Sequence, residues 1–302
     1  MKALLGLLAA LPLGAATYWI TIAGLGGEPD YEQRFAGWAQ EVEKILAPGG
    51  ARLYTLAGPD ATAVHIRELV ARLAREIKPE DALVVLLIGH GTFDGYQYKF
   101  NLPGPDLSAG ELARLLEGIT ATRQLIVNTS SASGASLELL RKPGRIVITA
   151  TKSGLEKNAT VFARYFIEAL RDPSADTDKN EAVSALEAFR YAAQKTARFY
   201  ESQRRLATEH PLLEDTGQGP GVRAPESGAG GLAAAFTLVR FGQTQAVMRD
   251  PAKRALLARK EELEQKIDLL KYQKAAMDAA EYRKQLTALL LELARVQQEL
   301  DK

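Results

Sequence analysis

The amino-acid sequence predicts an α/β protein: a mostly parallel sheet flanked by helices, followed by a C-terminal helical hairpin. Three observations carry this. From Thr17 onward, short apolar runs alternate with stretches of helical spacing, the pattern of successive βαβ units. The run ALVVLLIGHGT is apolar without interruption up to its glycines, as expected of a strand covered on both faces. Beyond Pro251 the pattern changes to leucines three and four apart, the spacing of a helix–helix seam.

Taken in order, Lys2 is followed by the apolar run Ala3–Leu13 and then Gly14, Ala15 and Ala16. A positive start, a short apolar core and small residues at a cut describe a signal peptide over residues 1–16. The expectation is an exported protein, periplasmic or extracellular, or one anchored to a membrane if the segment stays uncleaved. The run is too short to span a bilayer comfortably. TYWITIA then reads as a first strand and ARLYTL as a second. Tyr31–Leu46 reads as a helix with Phe35, Trp38, Val42 and Leu46 on one side, and Thr62–Ile77 as another, burying Ile66, Leu69, Val70 and Leu73.

Asp94–Gly95 marks a tight turn. After it Tyr96, Tyr98, Phe100 and Leu102 alternate with polar residues, as in a half-buried hairpin strand. Ser108 is placed to cap a helix over Ala109–Leu116, with Glu111 at the capping-box position. QLIVN and RIVITA read as buried strands, Ala159–Leu170 and Ala182–Glu209 as helices, Gly217–Gly231 as loop and LAAAFTLV as a last strand. The α/β unit thus covers residues 17–245 and the hairpin 246–302. One hairpin seam holds Leu256, Leu263, Ile267 and Leu270, and the other Leu286, Leu289, Leu293, Val296 and Leu300, with a bend near Ala275–Ala280. Such a coiled-coil-like hairpin can pack on the main unit, self-associate or bind a partner.

Composition narrows the chemistry. The chain has 302 residues, a net charge of +1 and no cysteine. Disulfides, thiolate–metal sites and a cysteine nucleophile are excluded, and without a basic run no nucleic-acid partner is expected. Two strand ends remain: Ile88-Gly89-His90-Gly91-Thr92, and LIVNTSSASGAS at Leu125–Ser136. Ligands of open parallel sheets bind outside the C-terminal strand ends, so a histidine at one and hydroxyls at the next form a candidate base–nucleophile pair. The simpler reading of Ser130, Ser131 and Ser133 is capping of a helix over Ala135–Leu140.

An apolar strand ending in His-Gly, followed by one ending in SxSG, resembles the caspase-like clan of cysteine peptidases, and within it the legumain (asparaginyl endopeptidase) family. ITATKSG, FARYFIEAL and LATEHPLLEDTGQG continue the resemblance, which covers most of Thr17–Gly221. It implies that His90 matches the catalytic histidine and that the Gly91 backbone N–H belongs to an oxyanion hole. The nucleophile falls on Ser131, an alcohol where the family has cysteine. Ser130, Thr149, Thr151, Lys152 and Ser153 then become candidates for the substrate pocket. A serine needs a closely bonded base that is itself oriented by a third group, and no aspartate is obviously assigned to His90. The expectation is therefore a pseudopeptidase that binds peptide or protein ligands. One alternative is a hydrolase using Ser131 with His90; another is an oligomeric scaffold assembled through the hairpin.

A second motif, DTDKNEAVSALE, follows EF-hand spacing. Asp176, Asp178, Asn180, the Ala182 carbonyl, Ser184 and Glu187 stand at the six ligand positions for Ca²⁺, while Glu181 replaces the usual turn glycine. The competing reading is an acidic helix N-terminus.

Overall fold

The computed structural model describes residues 15–225, 230–242, 250–274 and 277–301. In chain order the first elements are β1 (Thr17–Ala23), α1 (Pro29–Leu46), β2 (Arg52–Leu56), α2 (Ala63–Glu76) and β3 (Ala82–Ile88). Next come β4 (Gly91–Phe93), β5 (Tyr98–Phe100), β6 (Leu107–Ser108), α3 (Ala109–Glu117), β7 (Arg123–Asn128), α4 (Leu137–Leu140), β8 (Arg145–Thr149) and α5 (Phe162–Ala169). The last are β9 (Ala182–Ser184), α6 (Ala185–Ser202), β10 (Leu212–Glu214), α7 (Gly231–Ala234), β11 (Thr237–Arg240), α8 (Pro251–Gln273) and α9 (Ala279–Leu300).

The main sheet has six strands in the order β10-β8-β7-β3-β1-β2. All neighbours are parallel except β10, which runs antiparallel to β8. The chain moves outward from β1 to β2, then returns across β1 to β3. Right-handed crossovers in opposite directions place α1 and α2 on opposite faces. The core follows from the strand period of two. Trp19, Val84, Leu86, Leu125 and Val127 face the α1, α5 and α6 layer. Tyr18, Ile20, Leu83, Val85 and Ile126 face α2 and α3. With β3 fully buried along its length, each of its large side chains contributes roughly 1.5–3 kcal/mol.

Several elements end differently from the sequence expectation. Tyr96 is 97% exposed and lies in the turn, so the second hairpin strand begins only at Tyr98. Ser108 caps α3 by accepting from the Glu111 N–H, but the Glu111 carboxylate pairs with Arg67 rather than closing a capping box. The helix expected from Ala182 starts at Ala185 and ends at Ser202, because Ala182–Ser184 pairs as β9 with β11. The segment LAAAFTLV divides into α7 and β11. Ser133 does not cap a helix; it opens a 3₁₀ turn ahead of the short α4 and bonds Thr151.

Residues 1–14 of the expected signal segment lie outside the described residues, as do residues 275–276 of the expected hairpin bend. No described helix is long and apolar enough to cross a membrane. Helices α8 and α9 pack through Leu257, Leu263, Val296 and Leu300, with Leu256, Leu289 and Leu293 at the margin.

Candidate active site

The carboxyl ends of β3 and β7 lie side by side, with Leu87 opposite Asn128. The strand order reverses between β1 and β3, so His90 stands beside the crevice where ligands of such sheets bind. Its ring packs edge-on against Tyr31, 4.6 Å between centroids, and against Phe35 at 5.1 Å, both on α1. Burial lowers its pKa below the ordinary imidazole range, against the pull of Glu28, Glu32 and a hydrogen bond with the Gly26 backbone. Burial thus favours the neutral form of the imidazole. The cavity beside it, lined by Tyr31, Phe35, Trp38, Thr129 and Thr160, measures about 10 Å³, room for one water at most.

Ser131 is 3% exposed. Its Oγ lies 3.2 Å from the Gly91 nitrogen, accepting that N–H, and 3.2 Å from the Gly91 carbonyl oxygen, to which it donates. The hydroxyl is thus spent on the peptide groups of Gly91. The N–H that the family resemblance assigns to an oxyanion hole is taken up by the side chain assigned as nucleophile. Among the described residues no hydrogen bond joins Ser131 to His90.

The two glycines of the motifs have a common cause. A Cβ at Gly91 would lie 2.5 Å from the Ser131 carbonyl oxygen and 2.7 Å from both Ser130 Oγ and the Tyr98 ring. A Cβ at Gly134 would lie 2.3 Å from the Ser153 nitrogen. Backbones meet at both places, and only glycine fits. Between them Ala132 takes a left-handed φ of 56°, an unusual conformation for alanine one residue after Ser131, and donates its N–H to the Glu156 carbonyl at 2.8 Å.

Ser130, Thr149 and Thr151, of the expected pocket residues, are drawn inward. Ser130 Oγ bonds the Tyr98 hydroxyl at 2.6 Å and donates to the Asn128 side-chain oxygen Oδ1 at 2.8 Å. Burial pushes the Tyr98 phenol up to about 12, so it stays protonated. Thr149 and Thr151 are fully buried. Thr149 donates to the Thr151 carbonyl, while the Thr151 hydroxyl accepts from the Gly134 N–H at 2.9 Å and meets Ser133 Oγ at 3.2 Å. These hydroxyls hold two loops together. Lys152 is exposed and Ser153 half-buried; Lys152 reaches the Glu156 carboxylate at 3.6 Å.

Tyr98, Asn128, Glu156 and His210 belong to this neighbourhood without having been singled out as site residues in the sequence. The Glu156 carboxylate pairs with His210 Nδ1 and accepts the His210 and Lys152 backbone N–H groups. A polar residue closing the apolar strand QLIVN was the available signal for Asn128; nothing local marks Glu156 as the partner of a histidine 54 positions away.

The EF-hand-like loop brings carboxylate oxygens of Asp176, Asp178 and Glu187 within 4.8 Å of one another. Glu181 adopts φ 63°, the left-handed turn for which the motif normally uses glycine. Two of the other expected ligands make hydrogen bonds within the loop. Asn180 Oδ1 accepts from the Ala182 N–H, and Ser184 forms a reciprocal capping box with Glu187 at the start of α6. Three of the expected ligands, Asp176, Asp178 and Glu187, converge. Partial desolvation, with the charge of Glu187 beside it, raises the Asp178 carboxyl to about 6 although the residue itself is exposed.

No family model matches the chain, and no curated protein matches it in sequence. Among solved structures it is similar to caspase-1 from Spodoptera frugiperda, at 14% identity and a TM-score of 0.46, over 67% of this chain and 86% of that one. A Geobacter sulfurreducens protein aligns at 12% identity and a TM-score of 0.46, over 68% and 94%. The Drosophila initiator caspase Dronc aligns at 8% identity and a TM-score of 0.43, over 73% and 84%.

Proposed function

We propose that the chain is a caspase-like, legumain-type pseudopeptidase, exported from the cytoplasm, that binds peptide or protein segments at the carboxyl edge of its sheet without cleaving them. The observation that carries this reading is the position of Ser131 Oγ between the N–H and carbonyl of Gly91. Serine is a weak nucleophile until a base takes its proton, and here the proton points to a carbonyl. The imidazole of His90 is held in an aromatic niche with room for about one water beside it.

Binding is supported by what the same edge leaves exposed. Tyr96 at the tip of the β4–β5 hairpin and Leu155 in the loop after β8 are 97% and 80% exposed. Their loops touch, since a Cβ at Gly154 would lie 2.2 Å from the Phe93 ring. The test is turnover of a fluorogenic peptide library, with labelling by a fluorophosphonate. The expected result is no cleavage and no labelling above the level of a Ser131→Ala variant. Peptide retention on an array is expected to fall in Tyr96→Ser and Leu155→Ser. Cleavage that disappears in both Ser131→Ala and His90→Ala would establish the serine-hydrolase reading instead.

A further inference from the structure

We infer that the outer face of α9 pairs, antiparallel, with the same face of a second copy of this chain. The inward seam of α9 is closed against α8 by Val296 and Leu300, which are 8% and 9% exposed. On the opposite side Leu290 and Leu291 are 48% and 58% exposed, adjacent leucines with no cover among the described residues.

The pattern around them identifies the partner. At 100° per residue, Leu290 and Leu291 lie about 50° to either side of a line that passes close to Thr287 toward the helix start and Ala294 toward its end. Further out, Arg283 lies toward the helix start, and Gln298 and Asp301 toward its end; all are exposed. The stripe therefore reads almost the same in both directions: charged or polar, small, Leu, Leu, small, polar or charged. That is the requirement of an isologous twofold contact, in which residue i meets j and j meets i. With the axis between Leu290 and Leu291, the leucines cross and Thr287 faces Ala294 of the second copy. These small side chains allow close approach. Arg283 faces Gln298 and lies about 4.5 Å along the axis from Asp301, within reach of a guanidinium at 1.5 Å rise per residue. Charge is thus complementary in this register and not in the parallel one, which would stack Arg283 on Arg283. This inference stands independently of the peptidase reading.

The test is sedimentation velocity of the full chain over a concentration series. The expected result is a monomer–dimer equilibrium, abolished in the double variant Leu290→Glu/Leu291→Glu with circular dichroism and melting temperature unchanged. Arg283→Asp is expected to weaken the dimer about tenfold, and Arg283→Asp/Asp301→Arg to restore it. A chain that stays monomeric at high micromolar concentration overturns the inference. So does a dimer indifferent to the leucine changes, or one not rescued by the charge exchange.

Discussion

Glu209 supplies a pH dependence that can be worked through. Its carboxylate is 2% exposed, and it accepts from the Val161 N–H at 2.7 Å, the Phe162 N–H at 3.1 Å and the Tyr200 hydroxyl at 2.9 Å. Burial is the largest influence and raises the carboxyl from 4.5 to about 7; the hydrogen bonds pull the other way, and the charge of Glu156 adds to the rise. The folded chain therefore holds a proton over a range where the unfolded chain has released it. Stability from this group is present below pH 4.5 and is lost as pH rises through 7. The rise corresponds to about 3 kcal/mol. The assay is urea unfolding from pH 4.5 to 8, comparing wild type with Glu209→Gln, which cannot ionise. Asp178, raised to about 6, titrates in both proteins and cancels in the difference. Wild type minus variant is expected to fall by about 3 kcal/mol across the range. A flat or rising difference would refute the claim that burial outweighs the three donors.

Other consequences can be checked by similar means. Gly91→Ala places a methyl against Ser131, Ser130 and Tyr98, and chemical unfolding is expected to show a loss of about 1–3 kcal/mol. Glu181→Gly removes a left-handed φ of 63° from a side-chain-bearing residue, and thermal unfolding is expected to show a gain on the order of 1 kcal/mol. Ser184→Ala breaks the capping box of α6, at about 1 kcal/mol by the same measurement. Ser131→Cys introduces the chain's sole thiol, so iodoacetamide uptake reports directly on whether that position faces the cleft; labelling of the folded protein is expected.

The parts of the fold that were legible in the sequence are those with a local cause. The continuous apolar run of β3 and the glycine turns after β1 and β3 define the sheet's middle and the position of His90. Ser108 before Ala109 is a cap that needs no knowledge of the rest of the chain. The parts that were not legible depend on distant pairing. Ala182–Ser184 has only three residues and becomes a strand because Thr237–Arg240 lies beside it. Helix α7 begins where the Asp215 carboxylate accepts the N–H groups of Gly230, Leu232 and Ala233. The threonines after β8 read as pocket wall from their place in the motif. Thr151 is instead tied down by Ser133 and Gly134 from another loop, a contact that no sequence period announces.

The character of the site turns on the size of one atom. An oxygen at Ser131 fits between the Gly91 N–H and carbonyl at 3.2 Å from each, and satisfies both polar groups in a buried place. A sulfur there would be larger, a weaker acceptor and a poorer donor. It would be crowded by the same approach of backbones that demands glycine at position 91, and would lose less by leaving. Cysteine at 131 would therefore turn out toward the cleft and return the Gly91 N–H to whatever carbonyl lies there. Serine does the reverse: its hydroxyl stays on the Gly91 peptide groups. On the proposed pseudopeptidase reading, the alcohol is not only a poorer nucleophile than a thiol but also occupies the Gly91 N–H and carbonyl itself.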